Sequence, residues 1–187
     1  MNSTIRTLAA LAALAASLGG SAAATAGEVE IFDRSVPAPA DLARILWPDG
    51  AAAGASRTRG IRMKEPAGAA APAEAKAFGF LVRFGFDSAE VLPESRPYLD
   101  SVGGMLRLPE VAGKRVAIVG HTDASGPEGY NRSLSERSAA AVRNYLSAKF
   151  GIAAERLEVA GMGEGAPLPG LDPAAPRNRR VEFHAAQ

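Results

Sequence analysis

Between Val116 and Leu146 an apolar run, a polar turn and an amphipathic helix follow one another without a break, which leaves this segment few ways to fold. Val116 to Val119 is wholly apolar, with Lys114-Arg115 before it and Gly120 after it, the pattern of a short strand buried on both faces. Thr122-Asp123-Ala124-Ser125-Gly126 reads as a turn. Beyond it, Leu134, Ser138, Ala141, Val142, Tyr145 and Leu146 share one helical face, while Glu136, Arg137, Arg143 and Asn144 lie away from it. Ser133 and Glu136 have the spacing of a capping box, and Gly151 ends the helix. Asp123 is thereby expected at a strand end, beside a helix.

The flanking segments extend this alternation. Phe78, Phe80, Val82, Phe84 and Phe86 alternate with Gly79, Leu81, Arg83 and Gly85, as in a strand with one face on a core. Asp87 and Ser88 end it. Pro93 suits the first turn of a helix in which Leu99, Val102 and Leu106 share a face, although Gly103 and Gly104 each weaken that helix by up to ~1 kcal/mol relative to alanine. Leu157 to Ala160 reads as a third strand and Val181 to Phe183 as a last one, with a Gly/Pro-rich loop from Gly161 to Pro176 between them. Strand and helix in alternation predict an α/β chain of the α+β sandwich type, a mixed sheet with helices packed on one face.

The N-terminal part has a different character. Arg6, the apolar run Leu8 to Leu18 and the small residues Ala24-Thr25-Ala26 predict a signal peptide over 1–26, cleaved before Gly27. The run is short against the roughly 20 residues of a spanning helix, so no transmembrane segment is expected in the mature chain. Removing residues 1–26 takes Arg6 from 21 basic residues, leaving 21 − 1 = 20 against 20 acidic ones. A net charge of zero gives no basic surface for nucleic acid. Without cysteine there is neither a disulfide nor a lipid-modified N-terminal cysteine. Residues 27–77, punctuated by Pro37, Pro39, Pro48, Pro66 and Pro72 in Ala- and Gly-rich sequence, read as a low-complexity linker. Within it, Asp41 to Trp47 has the spacing of a short helix, and Thr58 to Met63 that of a short extended piece.

Thr122, Asp123, Asn131, Leu134, Ser135, Ala139, Val142 and Leu146 fall in register with a motif of the OmpA C-terminal family (the OmpA/MotB/Pal type), which the stretch from Gly120 to Leu146 resembles. The resemblance covers about 78–185 and implies a βαβαββ domain, assigned here to 78–187, with the helix starting a turn before Ser133. It also implies a non-catalytic peptidoglycan-binding module, exported to the periplasm or outer membrane, that tethers to the cell wall. The ligand implied is the stem peptide, whose diaminopimelate ammonium Asp123 would take beside Thr122. Phe86-Asp87 resembles the family's strand end near that pocket, and Leu134 would line it. One position departs: the family arginine that holds the ligand carboxylate is replaced by Ser138, with Arg137 one residue early. Either Arg137 curls back into the site, or Arg179 or Arg180 of the Asn178-Arg179-Arg180-Val181-Glu182-Phe183 run supplies the guanidinium, or the pocket is lost and the domain serves protein interaction among envelope partners.

Taken as residues alone, the same groups leave other readings open. Asp123 is also placed to cap its own turn, Ser138 to pack as a small residue under the sheet, and His121 either to titrate or to be simply accommodated. A hydrolytic set of His121, Asp123 and Ser125, Ser133 or Ser135 lacks a Gly-x-Ser-x-Gly elbow, so no enzyme is expected. With His121 and His184 as the only imidazoles and no thiolate, neither a metal nor a cofactor is expected.

Overall fold

The core lies where the alternating aromatic run meets the C-terminal strand. In the computed structural model, which describes residues 29–48, 77–82 and 91–186, strand β2 (Ala77–Phe80) runs antiparallel to β5 (Arg180–Ala186), pairing Phe78 with Phe183 and Phe80 with Val181. The alternation points all four side chains to one face. Phe78 stacks on Phe183 with 5.2 Å between ring centroids, and Phe80 meets Phe183 edge-on at 5.9 Å. Aromatic pairs in this range add to the free energy of burial.

Two further strands, β3 (Arg115–His121) and β4 (Leu157–Gly163), and an N-terminal one, β1 (Val29–Phe32), complete a mixed sheet in the order β1-β2-β5-β3-β4. β1/β2 and β3/β4 are parallel, and β5 is antiparallel to both β2 and β3. Helices α1 (Pro39–Leu46), α2 (Arg96–Leu106) and α3 (Glu128–Phe150) bury Leu42 and Leu46, Leu99, Val102 and Leu106, and Val142 and Leu146 against the aromatic face. This is the expected α+β sandwich, with β2-α2-β3-α3-β4-β5 as its βαβαββ succession. No helix among the described residues is long and apolar enough to cross a membrane.

Three expectations are corrected. The linker assigned to 27–77 contains structured pieces: β1 extends the sheet, and α1 buries Leu42 completely. Burying a leucine contributes about 1.5–3 kcal/mol, so the domain includes these residues and its boundary at 78 is too late. The eight-residue helix falls where the spacing from Asp41 to Trp47 places one, with Pro39 in its first turn; composition alone gave no sign that it packs into the core. The capping box is not formed either. α3 begins at Glu128, after Pro127, so Ser133 lies exposed inside the helix. Gly103, read as a weak point of α2, is a contact point: a Cβ there would lie 2.4 Å from the Phe150 ring. The signal peptide over 1–26, the piece from Thr58 to Met63, and Phe84, Phe86 and Asp87 lie outside the described residues.

Candidate functional site

At the C-terminal end of β3 the sheet and α3 come unusually close. A Cβ on Gly120 would fall 2.1 Å from the Ser135 carbonyl oxygen, so glycine is required where the strand passes under the helix. The chain beyond this crossing is held by backbone bonds from both sides. Thr122 N–H donates to the Gly163 carbonyl at 2.9 Å, and Ala124 N–H to the Pro173 carbonyl at 3.0 Å. Ser135 Oγ accepts the Gly163 N–H at 2.9 Å. The turn carrying Asp123 is therefore fixed to β4, to α3 and to the loop before β5.

Asp123 itself is buried, with 7% of its side chain exposed. Its Oδ1 accepts the Ser125 N–H at 3.1 Å, the turn-capping bond that the sequence alone suggests. Its Oδ2 accepts from Arg179 Nη1, across the ends of β3 and β5. Arg179 is 58% exposed, so the pair has a buried anion and a solvent-facing cation. Asn131, on the buried face of α3, donates from Nδ2 to the Asp123 carbonyl at 3.2 Å and to Glu164. Thr122 Oγ1 is buried without a hydrogen-bond partner among the described residues.

Asn178 organises the loop that delivers Arg179. Fully buried, it accepts the Leu168 N–H at 2.9 Å and donates to the Asp172 and Pro173 carbonyls at 2.9 Å each. Neither Asn178 nor Glu164 was singled out from sequence. Their signal was faint: polar residues in a Gly/Pro-rich stretch. Asn131 and Ser135 were seen as motif positions, without the bonds that explain them.

Arg180 points elsewhere. On the sheet face away from the helices its Nε donates to Glu182 Oε1 at 2.6 Å, and its other nitrogens donate to the Asn178 and Ala166 carbonyls at 3.2 and 3.0 Å. His184 Nε2 is 2.9 Å from Glu182 Oε2; His121 Nε2 is 3.5 Å away, too long for a good hydrogen bond but close for a charge. Burial pushes the Glu182 carboxyl up, yet the two imidazoles and the Arg180 guanidinium outweigh it and hold the group well below the usual carboxylate range. Burial also lowers the pKa of His121, against the pull of Glu182. His121 thus belongs to this cluster, and the register pairs it with Arg180 directly beneath Asp123 and Arg179.

Of the other residues expected at the site, Ser138 is buried on α3 and Leu134 is half-buried. Arg137 is exposed and lines a groove between α2 and α3 with Arg96; no contact with Asp123 is recorded among the described residues.

A buried carboxylate and an exposed guanidinium thus meet at the ends of two strands on a βαβαββ frame. Residues 83–180 match the family model described as OmpA family, and with over half of its length matched the chain belongs to that family. It is 40% identical over 102 residues to an outer membrane protein A of Bordetella avium, a match covering 54% of this chain and 51% of that protein. To an outer membrane protein A of Escherichia coli O157:H7 it is 38% identical over 114 residues, covering 54% of this chain and 32% of that one. The chain thus spans about half or less of these curated relatives. Among solved structures, the OmpA-like domain of FopA1 from Francisella tularensis shares the fold with a TM-score of 0.50 at 23% identity, over 59% of this chain and 75% of that one.

Proposed function

We propose that this domain binds peptidoglycan without catalysis, taking the stem peptide at the Asp123–Arg179 pair. The observation that carries the reading is the asymmetry of that pair: Asp123 is buried and held by its turn, whereas Arg179 is mostly exposed. The free amino-acid centre of diaminopimelate carries an ammonium and a carboxylate side by side. Its ammonium replaces Arg179 on Asp123, where the attraction exceeds that in water, and its carboxylate takes the freed guanidinium by paired hydrogen bonds. Arg179 thereby stands in for the arginine that the family motif has at Ser138. Thr122 Oγ1, on the neighbouring residue, is buried with no partner among the described residues and offers a further polar contact. Export to the periplasm or outer membrane by a cleaved signal peptide belongs to the same reading.

Sedimentation of the mature protein with insoluble, purified peptidoglycan tests this. Wild type should co-sediment, Asp123→Ala should not, and Arg179→Ala should bind weakly, all three with unchanged circular dichroism. The buried serine at 138 favours a second reading, in which the pocket is lost and the domain contacts other envelope proteins. Folded wild-type protein that stays in the supernatant would establish that alternative over wall binding.

A further inference from the structure

Arg137 lies one residue from the family's arginine position, and that single step moves its guanidinium about 100° around α3. It then faces α2 instead of the sheet. There it lines an open groove of about 500 Å³ with Arg96, the first residue of α2, over a floor of Val91, Ala140 and Ala141. Both arginines are exposed, and no hydrogen bond or ion pair is recorded for either among the described residues. Arg96 acts through space on Asp100. Asp100 is already held by Tyr145 Oη at 2.7 Å and by Lys149 Nζ at 2.7 and 2.9 Å. Arg96 and Arg137 thus bring two exposed guanidinium groups to the groove, above apolar lining suited to methyl groups.

We propose that this groove is a second subsite, which reads the further carboxylates of a stem peptide whose diaminopimelate sits at Asp123. The inference rests on the peptidoglycan reading above. Along the α3 axis, Asn131, which touches the Asp123 carbonyl, and Arg137 are six residues apart, about 9 Å of helical rise, and about 240° of helical turn carries Arg137 round to the α2 side. An extended peptide needs about three residues for the axial part alone and more to follow the turn. A wall peptide has small alanine side chains for the floor and, besides diaminopimelate, carboxylates for Arg96 and Arg137. Planar guanidinium groups bind carboxylates in pairs of parallel bonds, so both arginines would discriminate acid from amide.

The experiment is isothermal titration of the mature protein with a soluble stem tetrapeptide containing diaminopimelate, and with the same peptide amidated at every carboxylate outside the diaminopimelate centre. Arg96→Gln and Arg137→Gln alter exposed positions and should leave the melting curve unchanged. Each should weaken the acidic peptide by about three- to tenfold, and the double variant by more, with a shallower salt dependence than wild type. The amidated peptide should bind wild type and double variant alike. If the double variant binds the acidic peptide as wild type does while Asp123→Ala abolishes binding, the groove proposal is overturned and the wall-binding reading stands. If wild type binds neither peptide, both fail, and capture of an acidic protein segment by the groove would then mark it as a protein-docking surface.

Discussion

The two faces of the sheet are held by opposite means. On the helix side, Phe78, Phe80 and Phe183 sit in an apolar layer closed by Leu42, Leu99, Val102, Val142 and Leu146. On the other side, one buried carboxylate, Glu182, gathers Arg180, His184 and His121. Apolar packing is nondirectional and tolerant of small shifts, whereas a buried charge cluster is stable only in a narrow geometry. The first builds the fold. The second places buried charge on β5 beside His121 of β3, next to the strand ends where Asp123 meets Arg179. The two faces should therefore differ in what their disruption does, and mutation can test that difference.

Phe183→Ala should have the largest effect, a loss of about 3–5 kcal/mol, because it removes the ring against which both Phe78 and Phe80 pack. Denaturant unfolding would measure it, and the loss should be nearly the same at pH 5 and pH 8. Glu182→Gln should cost about 3 kcal/mol by leaving Arg180 without its anion, and here the loss should depend on pH. The Glu182 pKa is lower in the folded state than its ordinary 4.5, so its contribution is present above that value and is lost as pH falls. The His121 pKa is also lowered from 6.5, so acidification below that point protonates the unfolded chain first and destabilises the fold. Wild type should thus lose stability in two stages on acidification, and Glu182→Gln should lack the lower one. A Phe183→Ala protein with the steeper pH dependence would break the distinction between the faces.

Leu42→Ala should cost about 2–4 kcal/mol, because the side chain is completely buried in α1. Removal of residues 27–48 should likewise lower the melting temperature rather than leave it unchanged. A neutral result from both would restore the boundary at Phe78 that composition suggested.

Legibility in the sequence followed the same division. Period-2 and period-3.6 patterns report apolar burial, so β2, β3, α2, α3 and the βαβαββ order were readable from Phe78 onward. Where polar residues do the holding, the pattern gives no warning. Asn131 and Ser135 sit on the buried face of α3 because loop backbone groups need them, and Asn178 organises a loop that composition marks only as Gly/Pro-rich. The Asp123–Arg179 pair joins residues 56 positions apart, a distance over which no local pattern operates. Arg179 entered from the family motif as one of two adjacent arginines; the strand register separates them, sending Arg180 to Glu182 and leaving Arg179 at the strand ends.

The smallest expected effect on stability concerns the seam between the faces, where Ser138 is packed on α3. Ser138→Arg adds a long side chain to a close-packed position, at a cost of roughly 1–3 kcal/mol, reduced if the guanidinium reaches solvent past the aliphatic stem. With Arg179 already supplying the carboxylate contact, a second guanidinium should strengthen peptidoglycan binding only about two- to threefold, since the ligand carboxylate is already paired. In an Arg179→Ala background the same substitution should restore most of the lost binding, because it then provides the only paired contact. Co-sedimentation of the four proteins, with melting temperatures measured alongside, makes this a double-mutant cycle. Strong coupling between positions 138 and 179 means that the two share one carboxylate. Additive effects would mean that Arg179 merely neutralises Asp123, and the carboxylate partner would have to be sought on α3.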